Sequence, residues 1–411
     1  TRALTAAAIT FADAGTHELK GKAEPVQLYR ADQVVAAVGG AQRVDGLTAP
    51  FTGRDRELLL VKELYHATLE DDRARLVSVV GEAGVGKSRL SWEFEKYADG
   101  ITQLTRWHRG RCLSYGEGVA FWAFAEMVRG RIGAVEGDSP AVLAERLREA
   151  LDDLVADPAE REYLRPRLAT LIGALDPAAP EGGFARTDLF GAWRTFLERL
   201  ADGGSIVALV VEDLQWADDG LLDFLDHLVE TIRAPLFVLT MSRPVLLERR
   251  PHWGTGRRVT SIYLEPLNDA AMGAVVDGLV GGLPDEVRTA LVERAEGVPL
   301  YAVETIRALI DRDAVVPRDG RYVVAEDVAS RVDLSALAAP ASLTALIAAR
   351  LDSLPPAERR AVQDAAVLGS AFTVEGLTAV AGGGDHTAVL DSLVRKEVLA
   401  IEADPRSPER G

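Results

Sequence analysis

Eight residues early in the chain have the types and the spacing that bind a phosphate chain. Residues 81–88 read Gly-Glu-Ala-Gly-Val-Gly-Lys-Ser and fit the pattern G-x-x-x-x-G-K-[ST]. Gly81, Gly84 and Gly86 let the backbone curl so that successive N–H groups face inward, which a Cβ atom would obstruct. The pattern predicts an anion-binding P-loop, to which the positive end of the next helix dipole contributes.

Two side chains at the end of this loop have predicted chemical roles. Lys87 is expected to reach the β- and γ-phosphates of a nucleotide, and the Ser88 hydroxyl is expected to bind Mg²⁺. The predicted ligands are therefore a nucleotide and Mg²⁺. The predicted nucleotide contacts of this segment are Gly81, Gly84, Val85, Gly86, Lys87, Ser88 and Arg89. The alternative is a glycine-rich turn without a ligand, which the apolar strand before the loop disfavours.

A second stretch could supply the acids that such a site needs. The apolar residues 206–211 are followed directly by Glu212 and Asp213. A buried parallel strand presents its last residues at the sheet edge where ligands bind in open α/β folds. We therefore predict a Walker B strand, in which Glu212 holds Mg²⁺ and Asp213 orients the attacking water. The alternative is an acidic helix cap; Trp216 is expected to pack in the core and Asp218 to cap the next helix.

Five strand-like runs could form the sheet that positions these residues. They lie at residues 76–80, 105–112, 206–211, 235–242 and 261–264. Their apolar content and the helical patterns between them predict a parallel sheet of five strands. Residues 119–132 are predicted to form an apolar-rich helix, and its aromatic residues Phe121, Trp122 and Phe124 are interpreted as core packing rather than as a platform for nucleic-acid bases.

The bulk composition limits the partners of the chain. Its 411 residues suggest two or three domains, and its net charge of −17 argues against general binding to nucleic acid or anionic membranes. Cys112 is the only cysteine, which excludes an intrachain disulfide and fits a reducing cytoplasm. No apolar run approaches the ~20 residues of a membrane span. We expect a cytoplasmic protein, of which this chain is a piece.

Four motifs together resemble the STAND branch of AAA-like ATPases, the signal-transduction ATPases with numerous domains. They are Phe-Thr-Gly-Arg-Asp at residues 51–55, Glu-Asp-Leu-Gln-Trp-Ala-Asp at 212–218, the strand that ends at Arg243, and Glu-Gly-Val-Pro-Leu at 296–300. Two positions depart from the family pattern. Glu212 stands where many members have aspartate, and Val298 stands where asparagine is usual.

The resemblance implies further contacts around the nucleotide. The backbone at Gly53 and Arg54 is expected to lie against the adenine. Arg243 is expected to contact the γ-phosphate, which suits a guanidinium, and Pro299 to pack on the nucleotide. The alternatives are a solvated loop, a surface arginine and a break between two helices. The predicted catalytic residues are Lys87, Asp213 and Arg243.

The helical pattern that follows resembles the lid and the winged-helix module of the same family. We expect an α/β P-loop NTPase with a parallel five-stranded sheet, followed by an all-α lid and an incomplete winged-helix-like helical domain. The expected boundaries are residues 50–266 for the P-loop domain, 267–335 for the lid and 336–411 for the winged-helix-like domain, after a linker at 31–49.

The first thirty residues carry a separate resemblance. Gly-Thr-His-Glu-Leu-Lys-Gly-Lys-Ala-Glu-Pro-Val at residues 15–26 resembles the last strands of class III adenylate and guanylate cyclase domains. The resemblance implies that residues 1–30 are the carboxyl-terminal edge of such a domain, with a phosphate role for Lys20 or Lys22. An unrelated amino-terminal hairpin is the alternative.

These resemblances together predict a regulatory switch that binds ATP, hydrolyses it slowly and controls a covalently linked cyclase domain. The other expected partners are ATP and ADP and a carboxyl-terminal repeat or effector domain; self-association is allowed, and direct nucleic-acid or membrane contact is not expected. One alternative is an ATP-dependent transcription regulator whose DNA-binding domain lies elsewhere. Residues 341–411 carry 7 Lys/Arg against 10 Asp/Glu, which disfavours DNA binding there. A generic mechanochemical ATPase is a third interpretation.

Overall fold

The computed structural model describes residues 9–17, 26–34 and 49–399, apart from 102, 114–119, 136, 175–182, 202–203, 311, 313, 319–320, 325–346, 349–350, 353, 370–371 and 397. The strands of this part are β1 Ile9–His17, β2 Val26–Val34, β3 Arg75–Gly81, β4 Thr105–Arg111, β5 Ile206–Glu212, β6 Leu236–Ser242, β7 Val259–Leu264, β8 Val280–Gly281, β9 Val315–Arg318 and β10 Arg321–Val324. The helices are α1 Asp55–Glu70, α2 Lys87–Asp99, α3 Trp122–Arg131, α4 Pro140–Leu154, α5 Pro158–Ile172, α6 Arg186–Ala201, α7 Asp219–Thr231, α8 Val245–Arg249, α9 Asp269–Leu279, α10 Asp285–Ala295, α11 Pro299–Ile310, α12 Pro356–Leu368, α13 Val374–Val380 and α14 Thr387–Arg395.

A parallel sheet in the order β4-β5-β6-β3-β7 confirms the predicted five-stranded α/β P-loop fold. Its strands β3, β5 and β6 are neighbours, so their carboxyl ends meet at one edge of the sheet. The P-loop follows β3, the two predicted acids end or follow β5, and Arg243 follows β6. The topology therefore brings the three separate sequence motifs to the same edge.

The interior strand β5 is buried on both faces, which is why its sequence is an unbroken apolar run. Val207, Leu209 and Val211 belong to one hydrophobic cluster, and Ile206 and Val210 belong to the other. Alternation along the strand sends successive side chains to opposite faces. Helices thus cover both faces of the sheet.

The predicted aromatic core is confirmed, although its helix begins later than the pattern indicates. Phe124 is buried among Trp193 and Phe224, with ring centroids 5.6 and 4.8 Å away. Helix α3 begins at Trp122 because Phe121 has a left-handed backbone (φ 61°) and donates its N–H to the Asp218 carboxylate at 2.8 Å. A contact with a distant residue therefore sets the start of this helix.

The chain divides into two compact units, one of residues 49–306 and one that combines the described parts of 1–48 and 307–411. In the second unit β1 and β2 form an antiparallel hairpin. Strand β2 continues to Val34, which pairs with Ile9, so the expected linker at 31–49 begins too early. Lys20 and Lys22 lie outside the described residues.

Two features of the second unit go beyond the sequence pattern. Strands β9 and β10 form an antiparallel hairpin within residues 267–335, where only helices are expected. In the predicted winged-helix-like region, the helical pattern predicts helices at residues 343–354, 357–368 and 386–398; α12 and α14 match the last two, whereas α13 lies where none is predicted. The domain boundaries themselves stay predictions. Within the described residues, no helix has the length and apolar character needed to cross a membrane.

Candidate functional site

The P-loop has the backbone shape that its glycines predict. Gly84 and Gly86 take left-handed conformations, with φ of 79° and 107°, which side chains with a Cβ rarely adopt. A Cβ atom on Gly86 would meet no heavy atom within 4 Å, so its left-handed backbone, not a lack of space, is what favours glycine there. Helix α2 begins directly at Lys87, which directs its free N–H groups and its dipole to the loop.

The side chain of Lys87 turns onto its own loop. Its Nζ atom donates hydrogen bonds to the carbonyl oxygens of Gly81 and Glu82, both at 2.8 Å. Burial lowers the pKa of Lys87, and the positive charge of Arg243 lowers this pKa further. The charges of Asp213 and Glu82 act in the opposite direction. The structure thus brings Lys87, Arg243 and Asp213 within electrostatic reach of one another.

A residue that sequence reasoning missed, Gln215, links the second and third motifs. Its Oε1 atom accepts a hydrogen bond from the backbone N–H of Arg243 at 3.1 Å, and its Nε2 atom donates to Asp213 at 3.1 Å. Gln215 is buried, whereas the side chain of Arg243 is exposed. The guanidinium is therefore available at the sheet edge while its backbone is fixed.

Asp213 is held by strand β4. Its carboxylate accepts from Nε of Arg111 at 2.8 Å and lies 2.7 Å from Nη2 of the same guanidinium. Its backbone is left-handed, with φ 54°, which is a strained conformation for a residue other than glycine. Asp213 thus ends β5 at an unusual turn, and its carboxylate has a cationic partner.

Glu212 is also paired with an arginine of β4. Nη1 of Arg109 contacts the Glu212 carboxylate, while Nη2 of Arg109 contacts Glu95 on α2. Glu95 also accepts a hydrogen bond from the Ser91 hydroxyl at 3.0 Å. Burial raises the pKa of Glu95, and Arg109 opposes this effect. The predicted metal ligand therefore belongs to a buried polar network that the motifs do not indicate.

The predicted adenine-side loop uses its arginine within the protein. Arg54 is buried and donates to the carbonyl oxygen of Val85 at 3.4 Å, to the carbonyl oxygen of Glu265, and to Glu57 at 3.1 Å. Its side chain thus ties this loop to the P-loop. Gly53 is left-handed, and a Cβ there would lie 2.8 Å from Ala271 on α9. Contact of this backbone with adenine stays a prediction.

The turn before α11 lies against the tip of the P-loop. The backbone N–H of Leu300 donates to the carbonyl oxygen of Gly84 at 3.3 Å. A Cβ on Gly84 would come within 2.9 Å of Leu300 and 3.0 Å of Val298. Pro299 is the first residue of α11 and is half-buried. The neighbours of Pro299 in the chain thus lie against the loop, and contact of Pro299 itself with a nucleotide stays a prediction.

The remaining predicted residues differ in their surroundings. Ser88 is exposed at the start of α2, and Arg89 pairs with Glu93 at 2.9 Å, so its guanidinium already has a partner. Asp218 caps α7 by accepting from the N–H of Leu221 at 3.0 Å, as predicted. Trp216 is 48% exposed, so its expected packing in the core is wrong.

The residues present fit Mg²⁺ and a nucleotide. A serine hydroxyl and a carboxylate are hard oxygen donors, and the left-handed glycines of the loop suit a phosphate chain. Within the described residues, no group of three or more His, Cys, Asp or Glu side chains could hold a metal ion alone. Mg²⁺ is usually bound through few protein ligands together with substrate phosphates.

The sequence contains the two arginines, Arg109 and Arg111, but it does not indicate their partners until the strand order is known. Arg109 and Arg111 alternate along the predicted strand at 105–112, so they share one face. Their partners became evident only when β4 paired with β5, which sets Arg111 opposite Glu212.

Comparisons with known proteins agree with this site. Residues 50–240 match the family model described as the AAA ATPase domain. An uncharacterised protein of Rhizobium meliloti (strain 1021) is 27% identical over 278 residues, which cover 65% of this chain and 25% of the relative. The chain therefore spans about a quarter of that protein's length.

Solved structures show more distant likeness. A STAND protein with a tetratricopeptide repeat sensor from Pyrococcus horikoshii has a TM-score of 0.43 at 14% identity, covering 87% of this chain and 41% of that one. The ORC1 protein of Aeropyrum pernix in complex with DNA has a TM-score of 0.38 at 13% identity, covering 86% of each chain. TM-scores this low support no inference about function. The family match and the loop geometry together support an AAA-like P-loop core in residues 50–240 of this chain.

Proposed function

We propose that this chain is the ATP-binding and slowly hydrolysing switch module of a multidomain signal-transduction protein. The observation that carries the proposal is that Lys87 lies within electrostatic reach of both Asp213 and Arg243, at the sheet edge where β3, β5 and β6 end. Two cations and one acid at this edge match the needs of a triphosphate and of an attacking water. Each residue comes from a different strand end, so the fold assembles the set.

Nucleotide binding would use groups that now contact the protein itself. The inward N–H groups of the P-loop would hold the phosphates, and Lys87 would exchange the carbonyl oxygens of Gly81 and Glu82 for phosphate oxygens. Ser88 and Glu212 would hold Mg²⁺, which neutralises phosphate charge when bound. The exposed guanidinium of Arg243 would contact the γ-phosphate.

Slow hydrolysis follows from the surroundings of Asp213. A carboxylate that orients a water must accept a hydrogen bond from it, and Arg111 already occupies one oxygen of Asp213. The second oxygen accepts from Gln215. A water must therefore compete with Arg111 and Gln215 for a place beside this carboxylate, and we propose that this competition slows the hydrolytic step.

The switch itself would rest on contacts between the P-loop and the elements that follow the sheet. Leu300 is hydrogen-bonded to Gly84, and Gly53 packs on Ala271 of α9. A γ-phosphate that binds two arrangements of these contacts unequally would shift the population between them. Hydrolysis would reverse the shift. We propose that the output is a class III cyclase domain linked to the hairpin β1–β2.

Calorimetric titration of the full chain with ATP and Mg²⁺ tests nucleotide binding. Lys87→Ala should abolish measurable binding, because each lost charged hydrogen bond costs roughly 1.5–3 kcal/mol. Lys96→Ala, on the same helix and paired with Glu93, is the matched control and should bind normally. Equal affinity of Lys87→Ala and the control would contradict the P-loop assignment.

The cyclase link needs a separate experiment. This chain should hydrolyse ATP yet form no cyclic nucleotide, since residues 1–30 are the edge of a cyclase domain at most. A longer protein with the preceding domain should show cyclase activity that changes with Lys87→Ala. The same cyclase rate with and without Lys87, at all ATP concentrations, would refute regulation while leaving ATP binding intact.

A further inference from the structure

A buried row of polar side chains joins the P-loop helix α2 to the end of β5. The Ser91 hydroxyl donates to Glu95, and the guanidinium of Arg109 contacts Glu95 through Nη2 and Glu212 through Nη1. The side chains of Glu95 and Glu212 are only 7% and 19% exposed. The guanidinium of Arg109 therefore pairs with both carboxylates, of which Glu95 is buried and Glu212 is partly buried.

Burying these charged side chains costs free energy unless each of them has a partner. A nearly buried carboxylate without a partner is strongly destabilising, and Glu95 is buried. A guanidinium can satisfy two acids at once because its nitrogens form a rigid planar fork, which an ammonium group lacks. Arg109 is thus suited to fix the distance between α2 and β5.

The contact with Glu212 involves only one of its oxygens. Arg109 contacts Oε1, and within the described ranges no hydrogen bond reaches Oε2. Ser88 and Ser91 are three residues apart on α2, which places them on the same side of that helix. The network therefore runs from α2, on the side of the helix that also carries Ser88, to Glu212 at the end of β5.

We propose that Arg109 is a positioning residue for Glu212 and that Glu95 determines how strongly Arg109 holds it. This inference rests on the proposed function, in which Glu212 serves Mg²⁺. Glu95 attracts one arm of the guanidinium, so Glu212 keeps enough negative charge for the metal. Without the charge of Glu95, the full guanidinium charge acts on Glu212 and competes with Mg²⁺.

The test measures the Mg²⁺ concentration that half-saturates binding of a fluorescent ADP analogue to the full chain. Glu95→Gln should raise this concentration roughly 10-fold, the usual effect of removing an outer partner of a metal ligand. Arg109→Met should raise it by a similar factor, because Glu212 is no longer held. Arg109→Lys keeps a cation and should give an intermediate value.

Two control variants remove comparable ion pairs elsewhere in the same unit. Glu160→Gln breaks a pair with Arg199, and Arg167→Met breaks a pair with Asp188. Both should lower the melting temperature and leave the Mg²⁺ dependence unchanged. If Glu95→Gln and Arg109→Lys behave like these controls, the network only stabilises the fold and the inference is wrong. If the unaltered chain binds no nucleotide at any Mg²⁺ concentration, the proposed function fails first.

Discussion

The two halves of the candidate site are held in opposite ways. On the P-loop side, Lys87 bonds to carbonyl oxygens five and six residues before it, so the loop is closed by its own backbone. On the acid side, Glu212 and Asp213 are held by arginines about one hundred residues earlier in the chain. The first half is therefore a local structure, while the second depends on the pairing of β4 with β5.

This difference predicts which property of the site a substitution in each half will impair. A change in the P-loop should affect nucleotide binding directly, because all the predicted phosphate contacts except Arg243 lie within residues 81–89. A change in β4 should affect the acids without touching the loop. Variants that separate binding from hydrolysis therefore test whether the two halves are independent.

The largest expected effect comes from Asp213→Asn. The amide cannot take a proton from water, so hydrolysis should fall at least 100-fold while ATP affinity stays within about 2-fold. Phosphate release and calorimetry on the same preparation give both values. If binding falls and hydrolysis per bound nucleotide does not, the roles of Asp213 and Glu212 are reversed.

A second prediction concerns the stability of β4, the strand that holds both acids. Burial, and to a lesser extent the charges of Arg131 and Arg106, lowers the pKa of His108 to about 4, from 6.5 in an unfolded chain. His108 is thus neutral when folded and takes up a proton on unfolding below pH 6.5. Its contribution to stability is complete above pH 6.5 and decreases as the pH falls toward 4, by roughly 2 kcal/mol at pH 5.

Urea unfolding followed by tryptophan fluorescence measures this effect in the right unit, since all six tryptophans lie within residues 49–306. His108→Gln should flatten the loss of stability between pH 7.5 and 5. His252→Gln, which changes an exposed side chain, should keep the slope of the unaltered chain. Equal slopes in the two variants would show that His108 does not report on β4.

A smaller effect is expected from Glu212→Gln. Loss of the charge should weaken Mg²⁺-dependent nucleotide binding roughly 10-fold and leave Mg²⁺-free binding unchanged. Titrations with and without Mg²⁺ check this directly. A loss of equal size in both titrations would mean that Glu212 supports the P-loop itself, and the two halves would not be separate.

The smallest expected effect is an increase in rate for Arg111→Met. Partly exposed ion pairs contribute at most about 1 kcal/mol, so freeing Asp213 should speed hydrolysis about 3-fold. Single-turnover phosphate release is the appropriate measurement. A slower variant would instead assign Arg111 to stabilising charge in the reaction.

The local half of the site could be predicted from the sequence because each residue lies near its partners. The P-loop, the start of α2 at Lys87, and the Asp218 cap depend on neighbours within a few positions. Glu95 and Gln215 could not be assigned, because their partners come from other strands. Trp216 was interpreted as core from its residue type alone, yet it lies half exposed after β5.

The same limit explains the strand and helix ends that differ. Pairing with Ile9 extends β2 to Val34, and a bond to Asp218 delays α3 until Trp122. Propensity does not contain such distant contacts. The sheet as a whole was predictable because burial on both faces leaves long apolar runs in the sequence.

Cys112, the single cysteine of the chain, makes the end of β4 chemically observable. Its backbone N–H bonds to the carbonyl oxygen of Glu212 at 3.0 Å, and burial raises the pKa of its thiol to about 12. A thiol reagent can therefore label it only while this end of the sheet is open. The labelling rate of the native protein therefore measures how often β4 separates transiently from β5, without any added probe group.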